Sequence, residues 1–209
     1  MKTIRYIFII AALSCAAGCS DYFELEREPQ KPWNSVAEFE RAPIGIYWAL
    51  FTPAFWENPY ANWHAVKTAM GDDVDLWDLT QNETGWDRNT ANFNPYTNRN
   101  VRLLYRAISG CNSALDFVNA SNGNPFPEDL PTEDNKLNLD RIVGELHFTR
   151  AYAYWLLQTM YGHPYVPGGD NAAIDLPLIT TFPTSKPQAM QPPMGTTAQV
   201  WNLITKDLE

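Results

Sequence analysis

The chain has 209 residues, with 15 Lys or Arg, 24 Asp or Glu and an apolar fraction of 45%. This composition is sufficient for a packed core and excludes wholesale disorder and collagen-like repeats. A net charge of -9 without a basic patch argues against nucleic-acid binding, because Lys and Arg make most phosphate contacts. The most conspicuous excess is that of Trp, with 8 residues.

Residues 1–18 have the pattern of a secretory signal. Lys2 and Arg5 precede an apolar run over residues 6–13, and small residues follow. This run is too short to cross a bilayer, which takes about 20 helical residues. The sequence Ala-Ala-Gly-Cys at residues 16–19 resembles a bacterial lipobox. We therefore predict a lipoprotein signal peptide over residues 1–18 and membrane attachment through lipid on Cys19. Ordinary secretion is the alternative, and residues 12–15 offer a weaker competing lipobox that ends at Cys15.

The segment after Cys19 predicts a tether followed by a helix. Residues 19–34 are polar, acidic and interrupted by Pro, which suits an extended connection. Ser35 and Glu38 have capping-box spacing, so the first helix is predicted to begin at Ser35. Pro43 and Gly45 predict a kink or two short helices.

A second and a third helix are indicated by apolar residues that recur every three or four positions. Asn98 is the predicted cap of the second helix, whose apolar face contains Val101, Leu104, Tyr105, Ile108, Cys111, Leu115 and Val118. The third helix is predicted to end at Gly162 and Pro164, and its stripe contains Ile142, Leu146, Thr149, Ala153, Leu156 and Met160, widened by Tyr152 and Trp155. Cys111 has no intrachain partner if Cys19 is lipidated, so we expect a buried thiol.

A fourth helix is predicted from Thr196 or Thr197, with Trp201, Ile204 and Leu208 on one face. The chain ends without a helix stop signal, so we expect it to be the N-terminal portion of a longer protein. Helices separated by variable loops favour a tetratricopeptide-like stack, although the strict 34-residue signature is missing.

Two long irregular regions separate the predicted helices. Residues 53–96 interleave aromatic residues with Asn and Asp, and residues 162–195 contain seven Pro. Loops of this length in a compact domain are usually functional or disordered, and the density of Trp in the first argues against disorder. In the second, residues 176–179 predict a short strand or a segment packed against the helices.

Several segments in the same order resemble the SusD/RagB family. They are GELHFTRAYAYW at residues 144–155, MYGHPYV at 160–166, YRAI at 105–108 leading to Asn112, LPL at 176–178, and VWNLI at 200–204 leading to Asp207 and Leu208. The lipobox followed by SDYF is also typical of the start of family members.

The resemblance implies a mainly α fold of tetratricopeptide-like helical repeats with long irregular loops. It implies a lipid-anchored outer-membrane protein that faces the cell exterior and binds oligosaccharide, polysaccharide or peptide. The implied partner is a SusC-like TonB-dependent transporter. Family members are longer than this chain, so we expect residues 35–209 to be the N-terminal part of a SusD-like helical domain, truncated at its C-terminus.

The aromatic loop is the predicted glycan site. Pyranose rings stack on Trp through their C–H faces, while their hydroxyls require polar partners, and an acidic surface does not repel a neutral sugar. We select Trp77, Trp86, Arg88 and Asn89 as the glycan-binding residues. The alternative is that these aromatic residues fill the body of the helical fold.

No metal, cofactor or catalytic residue is predicted. Asp72, Asp73 and Asp75 form an acidic cluster of the kind that binds calcium. In an EF-hand loop that opens at Asp73, however, the sixth and twelfth positions hold Asp78 and Thr84 instead of Gly and Glu, which favours an exposed acidic turn. The three His residues lack zinc spacing. No nucleophile motif, phosphate loop or dinucleotide fingerprint occurs. We therefore predict a non-enzymatic glycan-binding lipoprotein. The alternatives are a RagB-like peptide or protein binder and a secreted glycoside hydrolase, which would require two carboxylates across a sugar.

Overall fold

The computed structural model describes residues 32–50 and 95–209. These ranges are mainly helical, as predicted. In chain order the elements are α1 (Val36–Phe39), α2 (Arg41–Leu50), α3 (Pro95–Ala120), α4 (Glu133–Tyr161), β1 (Ile174–Pro177), α5 (Lys186–Met190), β2 (Met194–Thr196) and α6 (Thr197–Leu208). The predicted signal peptide, Cys19 and most of the tether lie outside the described residues. Within the described ranges, no helix combines the length and the apolar character needed to cross a membrane.

The first predicted helix is divided into α1 and α2. The Ser35 hydroxyl accepts a hydrogen bond from the Glu38 backbone N–H at 3.1 Å, which confirms the predicted N-cap. The chain breaks at Glu40 rather than at Pro43, which lies in the first turn of α2. Pro is tolerated there because the first backbone N–H groups of a helix have no intrahelical acceptor.

The core lies where α3 packs against α2 and α4, and where α4 packs against α6. The predicted stripe of α3 is largely correct, since Leu104, Ile108 and Cys111 are at most 1% exposed. Burial raises the pKa of the Cys111 thiol to about 12, so this side chain is an inert apolar group of the core. Helix α3 begins at Pro95, one turn before the predicted Asn98 cap.

Helix α4 follows its prediction closely. It extends over 29 residues and ends at Gly162. Five members of its predicted stripe are buried, namely Ile142, Leu146, Thr149, Ala153 and Leu156. Tyr152 and Trp155 are half-buried on the same helix, and Met160 is half-buried near its end.

The prediction for the buried face of α6 was partly wrong. Thr196 caps this helix in a capping box with Gln199, at the predicted start. Its buried residues are Thr197, Val200, Ile204 and Asp207, whereas Leu208 is 58% exposed and Trp201 is half-buried. The predicted face did not include Asp207, whose carboxylate is held in the core by a buried ion pair.

That ion pair joins α4 and α6. The Arg150 Nε and Nη2 atoms each donate to one carboxylate oxygen of Asp207 at 2.7 Å. The Arg150 Nη1 atom donates to the Asn112 side-chain oxygen at 2.7 Å, and the Asn112 amide donates to the Ile179 carbonyl at 2.8 Å. His147 Nδ1 lies 2.8 Å from the same Asp207 carboxylate. Helices α3, α4 and α6 and the segment after β1 are thus joined by one polar network.

Both charges of the pair are removed from solvent, with 8% of the Arg150 side chain and 2% of the Asp207 side chain exposed. Burial alone would raise the pKa of Asp207, but hydrogen bonds from Arg150 and His147 lower it below its usual value. The carboxylate therefore stays ionised and paired at neutral pH.

Strands β1 and β2 form a two-stranded antiparallel sheet in which Ile174 lies opposite Thr196 and Pro177 opposite Met194. This confirms a short strand near the predicted residues 176–179, displaced by two residues toward the N-terminus. Gly195 permits a close approach at this place, because an added Cβ would lie 2.8 Å from the Leu178 Cβ.

Asp175 fixes this sheet to the helices. Its carboxylate accepts hydrogen bonds from Gln158 Nε2 at 2.7 Å, from Thr197 Oγ1 at 2.5 Å and from the backbone N–H of His163 at 2.8 Å. The His163 ring contacts the same carboxylate. Burial alone would raise the pKa of Asp175, but these hydrogen bonds together lower it to about 2.

The first prediction compares two arginines of α4. Arg150→Met should lower the free energy of unfolding by about 3–5 kcal/mol, because it leaves the Asp207 carboxylate buried without a counter-ion. The control Arg141→Met removes exposed ion pairs with Glu40 and Glu145, and should cost about 0–1 kcal/mol. Denaturant unfolding measures both variants. If both variants lose the same free energy of unfolding, burial of the Arg150–Asp207 pair does not make its disruption more destabilising than that of an exposed pair.

The second prediction concerns pH. The pKa of Asp175 is lower in the folded protein, at about 2, than the value of 3.8 for a free carboxyl. Its stabilisation is therefore present above pH 3.8 and is lost as the pH falls toward 2. Asp175→Asn should lose about 1–3 kcal/mol at pH 7, and its difference from the wild type should shrink over this acid range. Denaturant unfolding at a series of pH values measures it. The exposed change Glu128→Gln should retain wild-type stability at pH 7, and a constant difference between Asp175→Asn and wild type down to pH 2 would contradict the prediction.

Candidate functional site

The residues predicted to bind glycan lie outside the described residues, namely Trp77, Trp86, Arg88 and Asn89. The acidic cluster at residues 72–75 lies outside them too. Their assignment stays a prediction, and the site described below is built from other parts of the chain.

A groove of about 410 Å³ lies between α3 and the Pro-rich region after β1. Tyr105, Ile108 and Ser109 of α3 form its floor, and residues 178–181 form one wall. The other wall comes from α5 and the following residues 191–193. Its volume is within the range of about 300–1,000 Å³ that is usual for small-ligand sites.

The wall formed by residues 178–181 is fixed to the helices through its backbone. The Tyr105 hydroxyl donates to the Pro177 carbonyl at 2.9 Å. The Ile179 N–H donates to the Tyr154 hydroxyl at 2.7 Å, and that hydroxyl donates in turn to the Ile179 carbonyl at 3.1 Å. Burial raises the pKa of Tyr105 above its usual value and that of Tyr154 to about 12, so both phenols remain protonated donors at neutral pH.

The Asn112 amide adds a further bond to the Ile179 carbonyl at 2.8 Å. Beyond the groove, the Phe182 backbone N–H donates to the Asp116 carboxylate at 2.6 Å. Loop backbone that is bonded at both ends to two long helices loses little further entropy when a ligand binds. This wall is therefore preorganised.

The opposite wall is held by its own turn. The Gln188 side-chain oxygen accepts from the Thr184 N–H at 3.0 Å and from its hydroxyl at 3.1 Å, closing the first turn of α5. The Leu178 N–H donates to the Pro193 carbonyl at 2.8 Å, which joins the two walls across the base of the groove. The Pro residues of this region thus serve as rigid wall surface.

None of the described side chains that line the groove carries a charge. Its apolar surface is supplied by Ile, Leu, Ala and Pro side chains, and its polar surface by hydroxyl and amide groups. The side chains of Ser109, Thr180, Thr181 and Gln191 have no hydrogen-bond partner among the described residues. These groups can bond to a neutral polar ligand or to water.

Aromatic residues outside the groove are divided between core and surface. The Trp201 ring makes an edge contact with Tyr165 at 6.0 Å between centroids. Phe148, Tyr152 and Trp155 form a row along α4 with nearly parallel rings, at centroid distances of 6.3 and 5.8 Å. Trp48 is 57% exposed, and the Arg106 guanidinium lies over its ring.

Sequence reasoning did not identify the groove. Its residues come from α3 and from residues 178–193, which are separated by about seventy positions in the chain, and none belongs to a motif with catalytic or metal-binding spacing. The only signal was the concentration of Pro after residue 162, which we interpreted as an irregular region of functional or disordered character. A sequence pattern does not predict that this region packs against Tyr105.

Comparison with known proteins gives two matches. A family model described as SusD-like, starch-binding and associating with the outer membrane matches residues 45–209. A crystal structure of a SusD superfamily protein from Bacteroides thetaiotaomicron VPI-5482 matches with a TM-score of 0.57 at 19% identity. That match covers 83% of this chain and 36% of the other, and at this identity it establishes a shared fold. No curated protein matches the chain.

The family-like segments of the sequence converge in the structure. Asn112, Arg150 and Asp207 come from three different segments and form one hydrogen-bonded network. That network also holds the end of the Leu-Pro-Leu segment through Ile179. Because the family model covers more than half of the sequence, and the fold matches that of a SusD superfamily protein, the chain belongs to the SusD-like family of starch-binding, outer-membrane-associated proteins.

Proposed function

We propose that the complete protein is a non-catalytic lipoprotein on the cell surface that captures oligosaccharide and delivers it to a SusC-like TonB-dependent transporter. The observation that carries this proposal is the family match over residues 45–209, whose description names starch binding and association with the outer membrane. This chain covers 36% of the SusD superfamily structure that it matches.

The sequence of the N-terminal region supports the anchoring part of the proposal. In this proposal lipid on Cys19 attaches the protein to the membrane, and the acidic, Pro-interrupted sequence up to residue 34 suits a tether. A SusC-like transporter is the partner that the SusD/RagB resemblance implies. With such a partner, a binding protein that has no catalytic activity can take part in uptake.

The composition of residues 77–89 supports the capture of sugar. Trp77 and Trp86 offer flat apolar faces, while Arg88 and Asn89 offer hydrogen-bond donors. Stacking on exposed aromatic rings leaves much of each sugar in solvent. It therefore favours rapid release, which suits transfer to a transporter.

The third prediction tests glycan capture with the complete protein. Affinity electrophoresis through gels that contain starch or another polysaccharide should retard the wild type, and incubation should release no reducing ends. The double variant Trp77→Ala/Trp86→Ala should bind about tenfold more weakly or worse, as expected when anchoring aromatic residues are truncated. Trp48→Ala is the matched control, since Trp48 is an exposed Trp on a helix.

Three results would change the proposal. Formation of reducing ends by purified protein would favour the glycoside hydrolase. Retention of a peptide pool without retention of glycans would favour a RagB-like peptide or protein binder. Equal weakening by Trp48→Ala and by the double variant would show that the aromatic loop has no special role.

The fourth prediction concerns the anchor. Cys19→Ala removes the only sulfur that the lipobox makes available for lipid, so the variant should leave the membrane fraction and lose incorporation of labelled fatty acid. Cys15→Ala changes the neighbouring Cys within the predicted signal and is the control. It should remain labelled and in the membrane. Unchanged labelling of Cys19→Ala would exclude lipidation at this residue.

A further inference from the structure

We propose that the groove between α3 and the Pro-rich walls is a saccharide subsite, which holds one or two sugar units of a longer glycan. The inference rests on the proposed glycan-binding function. It assigns the subsite to residues that no sequence motif indicated, chiefly Ser109, Thr180, Thr181 and Gln191.

The charge of the groove selects the class of ligand. The whole chain carries a net charge of -9, yet the lining that the structure describes, from residues 105–109 and 178–193, contains no charged side chain. Among these residues a cation would find no carboxylate, and a phosphate or carboxylate ligand would find no Lys or Arg. A neutral ligand loses no ion hydration on entering such a site, whereas a charged one would do so without compensation.

The distribution of polar groups narrows the class further. Hydroxyls of Ser109, Thr180 and Thr181 and the amide of Gln191 can each donate and accept, and none is committed to another described residue. The ring hydroxyls of a sugar also donate and accept, so each can form a hydrogen bond with any of these groups in either direction. An extended peptide would instead form hydrogen bonds between its backbone and exposed backbone groups of the protein. The carbonyls of Pro177 and Ile179 already accept hydrogen bonds from Tyr105 and Asn112.

The apolar surface is suited to the faces of sugar rings. Leu178, Pro192 and Pro193 line the groove with C–H surface, and the Pro rings are rigid. The hydrogen bond from the Leu178 N–H to the Pro193 carbonyl, at 2.8 Å, keeps the walls at a fixed separation. A volume of about 410 Å³ at one opening accommodates a short segment of a glycan whose remaining units extend outside.

The test uses the complete lipid-free protein and a panel of maltooligosaccharides and other neutral oligosaccharides, with isothermal titration calorimetry as the readout. Thr181→Val combined with Gln191→Leu removes two hydrogen-bonding groups at exposed positions while retaining side-chain volume. The affinity for the oligosaccharide should fall about tenfold, since a neutral hydrogen bond contributes roughly two- to tenfold. Thr205→Val, an exposed threonine on α6 away from the groove, is the matched control and should bind as the wild type does.

A second measurement needs no variant. Hydrogen–deuterium exchange of the wild type should slow in residues 178–193 when a bound oligosaccharide is present at saturation. If the wild type binds glycan but neither the double variant nor the exchange of this segment responds, the subsite is excluded while the proposed function stands. If the wild type binds none of the glycans, both fall together. Protection of this segment by peptides alone would replace the saccharide with a peptide ligand.

Discussion

The buried ion pair between Arg150 and Asp207 is the contact on which the arrangement of the described helices depends. Two charges removed from water must satisfy each other and their remaining hydrogen-bonding capacity, or the folded state is strongly destabilised. Here the guanidinium makes two parallel bonds to the carboxylate and a third to Asn112. That geometry allows one relative placement of α3, α4 and α6. Apolar contacts drive these helices together, but many placements would bury similar area.

The same constraint extends to the groove. Asn112 uses its oxygen for Arg150 and its amide for the Ile179 carbonyl, so the segment after β1 is positioned by the side chain that completes the ion-pair network. Tyr154 and Tyr105 add bonds from α4 and α3 to the same stretch. A region without regular secondary structure thereby acquires a defined backbone, which is what a loop needs to form a binding surface.

Helix positions were largely predictable, because the apolar period of α4 and the Gly162 stop report directly on local structure. The buried face of α6 was not, since Asp207 is polar and only its partner Arg150, 57 residues earlier, makes its burial favourable. The predicted position of the helix interruption, at Pro43 and Gly45 instead of Glu40, was wrong for a related reason. A Pro predicts a helix interruption only when it lies beyond the first turn, and the position of Pro43 within α2 depends on where that helix begins.

The groove illustrates a different limit of sequence reasoning. Hydroxyl, amide and Pro residues carry no charge and little periodicity, so a neutral site leaves almost no trace in a sequence. Aromatic residues do leave a trace, which is why Trp77 and Trp86 could be selected while Thr181 and Gln191 could not. A glycan binder needs both kinds of surface, because ring stacking provides affinity without direction and hydroxyl or amide groups provide direction. Sequence reasoning therefore identifies the stacking part of such a site first, and the directional part is recognised only when the fold brings its residues together.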